Sequence, residues 1–144
     1  MGVEKMATVI RAQISEKNKY YIDKHRYYEL KHFCLQYKEW KKAYAACNES
    51  IIFTSNLEKT SSSNIPSDLT AKYAMKKAYY AERIKIIEEA AMEADDFLFP
   101  YILKAVTEGL AFTHLKSKMD IPCGKDMYYD RYRRFFWLLS EKRA

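Results

Sequence analysis

An all-α fold is what this sequence predicts, and three observations predict it. The 144 residues include only three glycines and three prolines, too few for the many turns of an all-β chain. Lys, Glu, Ala, Leu, Tyr and Met are abundant, and these residues favour helices. Apolar residues recur at spacings of three and four along two long stretches, which is the period of a helical face. The expected architecture is a helical bundle with two long helices and a C-terminal helix-turn-helix unit. The length suits one domain with a real core.

The elements follow in order. Val3, Met6, Ile10 and Ile14 fit one helical face, with no cap to fix its ends. Asp23 offers an N-cap for a long helix running to about Cys47. Along it Leu30, Phe33, Tyr37, Trp40, Tyr44 and Cys47 form a narrow seam, with Lys31, Lys38, Lys41 and Lys42 largely off it. Such a seam packs against another helix of the chain or against a second copy, in which case it is a homodimer interface. The stretch TSNLEKTSSSNIPS, residues 54–67, reads as a flexible loop. Ser67 or Asp68 then caps a second long helix to about Ala94, with Leu69, Tyr73, Tyr80, Ile84, Ile87 and Ala91 as its buried stripe. Asp95 and Asp96 mark the next start. Pro100 falls in the first turn of that helix, where its missing N–H costs little, and Gly109 ends it as a left-handed cap. A short helix from Thr113 to Met119, a turn DIPCG and a helix from Lys125 to about Leu139 complete the chain. The expected division is a helical body over residues 1–94 and a helix-turn-helix-like region over 95–144, packed on it.

Composition excludes several classes. No apolar run reaches the roughly 20 residues of a membrane-spanning helix. The start MGVEKM has no apolar signal core, so a cytoplasmic protein is expected. The three cysteines, Cys34, Cys47 and Cys123, form neither a disulfide framework nor a CxxC pair. His25 and His32 lie seven apart with no further ligand to close a metal site, so no metal is expected. There is no glycine-rich phosphate loop, no GxSxG and no carboxylate pair at a diagnostic spacing, which predicts no enzyme activity and no cofactor. Charge is more informative by region. Residues 1–49 carry +4, residues 50–111 carry −2 and residues 112–144 carry +4. A basic C-terminal third suits a polyanion.

The last helix, DMYYDRYRRFFWLL, answers in part what that third can do. On a 100° wheel Tyr128, Tyr132, Phe135, Leu138 and Leu139 cover one arc, while Asp126, Tyr129, Asp130, Arg133 and Arg134 lie opposite. Trp137 falls on the exposed side, either against another helix or near a partner. Leu115 and Met119 on the preceding helix, Ile121 in the turn and Phe112 at the corner supply the apolar lock that sets two short helices at a steep angle.

The stretch ILKAVTEGLAFTHLKSKMDIPCGKDMYYDRYRRFFWLL, residues 102–139, resembles the helix-turn-helix of phage late-gene transcription regulators of the RinA/ArpU type, which in turn resemble region 4 of sigma factors. The likeness covers about a quarter of the chain. YYELKHFCLQYKEWKKAY is similar to segments of small Firmicutes phage and prophage proteins without an assigned activity. The resemblance implies a DNA-binding regulator in which Lys125, Tyr129, Arg133 and Arg134 face duplex DNA and Lys116 and Lys118 lie near phosphates. The turn is one residue longer than in that family, and Asp126 and Asp130 share the face meant for an anion. The alternative expectation is a phage-encoded inhibitor, anti-CRISPR-like, that binds a host nucleic-acid enzyme through Trp137 and the arginines of the last helix.

Overall fold

The structure, a computed structural model, describes residues 17–60 and 67–144. The face formed by Val3, Met6, Ile10 and Ile14 lies outside the described residues. The fold is all-α: six helices and no strand among the described residues. They are α1 (Lys24–Leu35), α2 (Tyr37–Thr60), α3 (Ser67–Ala94), α4 (Phe99–Glu108), α5 (Phe112–Met119) and α6 (Lys125–Lys142).

Asp23 caps α1 as its sequence position predicts, its carboxylate accepting from the His25 N–H at 3.1 Å. The single helix expected from Asp23 to Cys47 is instead two. Gln36 interrupts it: its backbone N–H reaches the Phe33 and Cys34 carbonyls, and its side-chain amide donates to the His32 carbonyl at 3.3 Å. These bonds take up carbonyls at the end of α1 that a continuous helix would have paired in its i to i+4 ladder. The second helix also runs past Cys47 to Thr60. The expected loop over 54–67 is therefore helical as far as Thr60, and its Ser-rich remainder, 61–66, lies outside the described residues.

The described residues fall into two compact units, one made of residues 17–36 with Ile86–Ala144, the other of residues 37–60 with 67–85. The expected boundary after residue 94 is displaced for two physical reasons. The α1 helix packs on α4 and α6, so it belongs with the C-terminal third. Ile87, Ala90, Ala91 and Ala94, at the end of α3, are buried and fall in that same unit.

The first unit is built around α6. Tyr27, Leu30 and Cys34 of α1, Ile102 of α4, and Phe135 and Leu139 of α6 are fully buried. Aromatic rings fill the space between α1 and α6. Tyr27 meets Phe136 edge-on at 5.1 Å, and Phe136 meets Phe135 at 4.9 Å. The core arc of α6 differs from the wheel at one edge: Phe136 is buried and Leu138 only half-buried. Tyr27 decides this, because its ring stands over the Phe136 side of the helix. At the far end Arg26 ties α1 to α6, donating from Nε to Ser140 Oγ at 3.1 Å and from a terminal nitrogen to the Ser140 carbonyl at 3.0 Å.

Two buried tyrosines of α6 differ in a testable way. Tyr132 Oη and Tyr27 Oη share a 2.6 Å hydrogen bond. Burial pushes the Tyr27 hydroxyl up to about 12, the bond to Tyr132 opposing part of that rise. Tyr128 Oη is buried with no hydrogen-bond partner among the described residues. Tyr132→Phe is expected to cost about 1–3 kcal/mol, because it leaves Tyr27 Oη buried and unpaired. Tyr128→Phe is expected to be neutral or mildly stabilising, since that hydroxyl has no bond to lose. Urea denaturation of both variants checks the contrast, and equal destabilisation would contradict it.

The second unit is a two-helix hairpin of α2 and the first part of α3. Tyr37, Trp40, Cys47 and Thr54 are its buried residues. Lys77 of α3 holds its ammonium 5.5 Å from the Tyr44 ring of α2, so the two helices face each other there. The expected α3 stripe is only half-buried at Leu69, Tyr73, Tyr80 and Ile84.

Candidate nucleic-acid interface

The α5–turn–α6 segment is locked by the residues its sequence singles out. Leu115 in α5, Ile121 in the turn and Tyr128 in α6 are all at most 1% exposed. The turn closes α5 through Asp120, which adopts a left-handed φ of 52°. Aspartate tolerates that conformation better than most residues with a Cβ. The next N–H, of Ile121, reaches back to the Leu115 carbonyl at 3.1 Å. That bond satisfies an end carbonyl and turns Ile121 inward in one step. Gly124 caps α6 in an extended conformation with no side-chain bond. Phe112 closes the corner as expected, its ring 5.5 Å from that of Tyr128.

With its apolar lock inside, the segment leaves Lys116, Lys118, Lys125, Asp126 and Met127 exposed. The Cys123 thiol is half-buried in the turn, and burial raises its pKa while the nearby Lys116 ammonium opposes the rise. Such a thiol is not an activated nucleophile. Four exposed or half-exposed positions expected to face DNA thus divide by location. Lys125 stands in the open first turn of α6. Tyr129, one turn on, is half-buried, its ring 5.0 Å from Tyr128 and 5.8 Å from Tyr132. Arg133 and Arg134 are half-buried too, and Arg134 Nε is covered without a hydrogen-bond partner among the described residues.

Beyond its first turn, the outward side of α6 is engaged by the protein itself. Trp137 is half-buried, its ring 6.0 Å from that of Tyr20. A shallow groove on this side is bounded by Lys19, Tyr20, Asp130, Arg131 and Arg134. Arg131, which the sequence pattern does not single out, is held by two carboxylates. Its Nε donates to Asp95 Oδ2 at 2.8 Å, and it also pairs with Asp130. Asp95 Oδ1 meanwhile accepts from the Phe97 and Leu98 N–H groups, each at 2.9 Å, so one carboxylate starts α4 and anchors α6. Partial burial raises the Asp95 pKa, but the Leu98 N–H, the Arg131 guanidinium and the Phe97 N–H together hold it below the ordinary carboxylate value. Lys142 is likewise held, 2.7 Å from Glu93. No signal in the sequence pairs Asp95 with a residue 36 positions away.

The residues expected at a partner interface are distributed differently from one continuous seam. Leu30 and Phe33 are buried in the first unit, Tyr37 and Trp40 are buried, and Tyr44 is half-buried in the second. The break at Gln36 cuts the seam, and the burial of its rings within one chain leaves little of it for a second copy. Among the described residues no set of three His, Cys, Asp or Glu could hold a metal ion, and no helix is long and apolar enough to cross a membrane. No family model matches this chain, and neither a curated protein nor a solved structure is significantly similar to it.

Proposed function

We propose that the protein is a DNA-binding transcriptional regulator of the phage or prophage kind, and that it meets duplex DNA with α5 and the first turn of α6. One observation carries this reading. Leu115, Ile121 and Tyr128 are buried together, and the same turn leaves Lys116, Lys118 and Lys125 in solvent. A helix-turn-helix needs that combination, an apolar lock inside and phosphate-binding cations outside with the second helix entering by its N-terminal end. The contact lies toward that end of α6. Lys125 and Tyr129 stay at the interface, whereas Trp137 packs against Tyr20 and Arg134 is half-buried further along α6. Asp126, exposed beside Lys125, can accept from cytosine N4 and would bias the site chosen.

A mobility-shift assay over a salt series tests it. The protein is expected to bind duplex DNA with log affinity falling linearly against log salt, and to prefer one genomic sequence at least ~10-fold over its scrambled version. Failure to shift any duplex at about 50 mM salt would overturn the proposal. If such a protein instead co-purified with a host nuclease or polymerase, the inhibitor function would replace it.

A further inference from the structure

The charges of α3 are sorted along its length. From Leu69 to Ala81 the helix has three lysines and no acid, and Arg83 and Lys85 follow. From Ile86 to Ala94 it has Glu88, Glu89 and Glu93 and no cation. The change of sign falls where the hairpin unit ends. Over the whole hairpin, residues 37–60 and 67–85, nine Lys/Arg stand against five Asp/Glu, a net +4. A helix charged only for solubility mixes the two signs on its exposed side, because a single-sign field repels itself. Charge sorted in this way suits a partner of the opposite sign.

Geometry narrows the partner. Lys72, Lys76, Tyr79 and Arg83 follow one another at spacings of four, three and four, so they form one row along α3. Lys72, Lys76 and Tyr79 are exposed, and neither lysine has an ion pair among the described residues. Arg83 is set in place by its neighbour. Its guanidinium lies 3.5 Å from the centre of the Tyr79 ring, and Nη1 donates to the Tyr79 carbonyl at 3.2 Å. Its ion pair with Glu82 is loose, at 3.8 Å, so most of its donors stay available. An arginine stacked on a ring is pre-organised and loses little freedom when it takes an anion. With a rise of 1.5 Å per residue the row is about 16 Å long, roughly half a turn of duplex DNA. Cations at regular steps, with a tyrosine hydroxyl between them, match phosphate oxygens that repeat at a fixed interval. A folded acidic protein presents its carboxylates at irregular places and fits the row less well.

We infer that the hairpin unit is a second phosphate-binding surface, in which Lys72, Lys76 and Arg83 grip the backbone of duplex DNA. The inference rests on the DNA reading given above and adds to it a contact outside α5 and α6. Phosphate contacts do not read bases, so this row raises affinity for every sequence alike, and the choice of site stays with α5 and the first turn of α6.

Fluorescence anisotropy of the full chain tests the inference, with a labelled genomic duplex and its scrambled version titrated from about 50 to 300 mM salt. The triple variant Lys72→Ala, Lys76→Ala, Arg83→Ala is expected to lower the salt slope by about 2–3 and affinity at about 0.1 M salt by at least ~100-fold. Both duplexes should lose affinity by the same factor, so the preference between them is unchanged. Circular dichroism should match wild type, since the two lysines are in solvent. If loss of Arg83 disturbs the fold, the double variant Lys72→Ala, Lys76→Ala is read in the same way, with a slope lower by about 2. A folded variant that keeps the wild-type slope overturns the inference and leaves the reading of α5 and α6 standing. A lower slope here, together with an unchanged slope when Lys116, Lys118 and Lys125 are replaced, keeps this row and overturns that reading. A wild type that binds neither duplex overturns both.

Discussion

Phe135→Ala is expected to destabilise the protein by about 3–5 kcal/mol and to lower its Tm by roughly 10–20 °C. The ring is fully buried at the centre of α6, edge-on to Phe136, in a core that also receives α1 and α4. Removing it takes away apolar burial and leaves a cavity that helices held on several sides cannot collapse into. Neighbouring positions make the test sharp. Phe136→Ala should cost about as much, because that ring packs edge-on against Tyr27 and Tyr132. Leu138→Ala should cost less than half as much, because Leu138 is only half-buried. Thermal denaturation of the three variants distinguishes this order from the wheel, which places Leu138 in the core. A large loss at Leu138 with a small one at Phe136 would show that α6 is rotated from its position here.

Phe136 and Leu138 also show where sequence reasoning stops. Both lie at edges of an apolar arc on α6, and helical periodicity cannot say which edge a neighbour will cover. Tyr27, more than a hundred residues earlier, makes that choice. The features legible in the sequence are those with local causes. Asp23 caps because its carboxylate reaches an N–H two residues on. Gly109 ends α4 because its φ of 71° suits glycine. Pro100 is accepted because the first turn needs no N–H from it. Leu115, Ile121 and Tyr128 were legible because a short turn leaves few ways to bury them together.

Features with distant causes were not legible. The break at Gln36 interrupts a seam whose spacing continues unbroken from Leu30 to Cys47, and only the different surroundings of its two halves separate them. Residues 54–60 are polar enough to read as a loop, yet Thr54 is 3% exposed within the hairpin. Tertiary packing there overrides a weak propensity. Within the candidate site the exposed lysines followed from the position of the apolar lock. The fate of the arginines did not, because it depends on Asp95 and on Tyr20, both remote from α6 in sequence.

That separation of lysines from arginines gives the largest expected effect on function. Lys116, Lys118 and Lys125 are exposed on the lock's outer side and have no ion pair among the described residues. Replacing all three by alanine removes three phosphate contacts if the DNA proposal holds. The salt slope should then fall by about 3, and affinity at about 0.1 M salt should fall roughly 500-fold, with the two genotypes converging toward 1 M. Folding should be unaffected, because none of the three contributes to the core. Arg131→Ala is the contrasting variant. It breaks a partly buried pair with Asp95 and so should lower stability by about 1–3 kcal/mol. Below its melting range that variant should keep nearly the wild-type salt slope. Fluorescence anisotropy with a labelled duplex across 50–300 mM salt measures both. A triple lysine variant with an unchanged slope would remove α5 and the first turn of α6 from the DNA contact. A loss of slope in Arg131→Ala equal to that of the triple variant would move the contact to the far side of α6, where Arg131, Arg134 and Lys19 lie together.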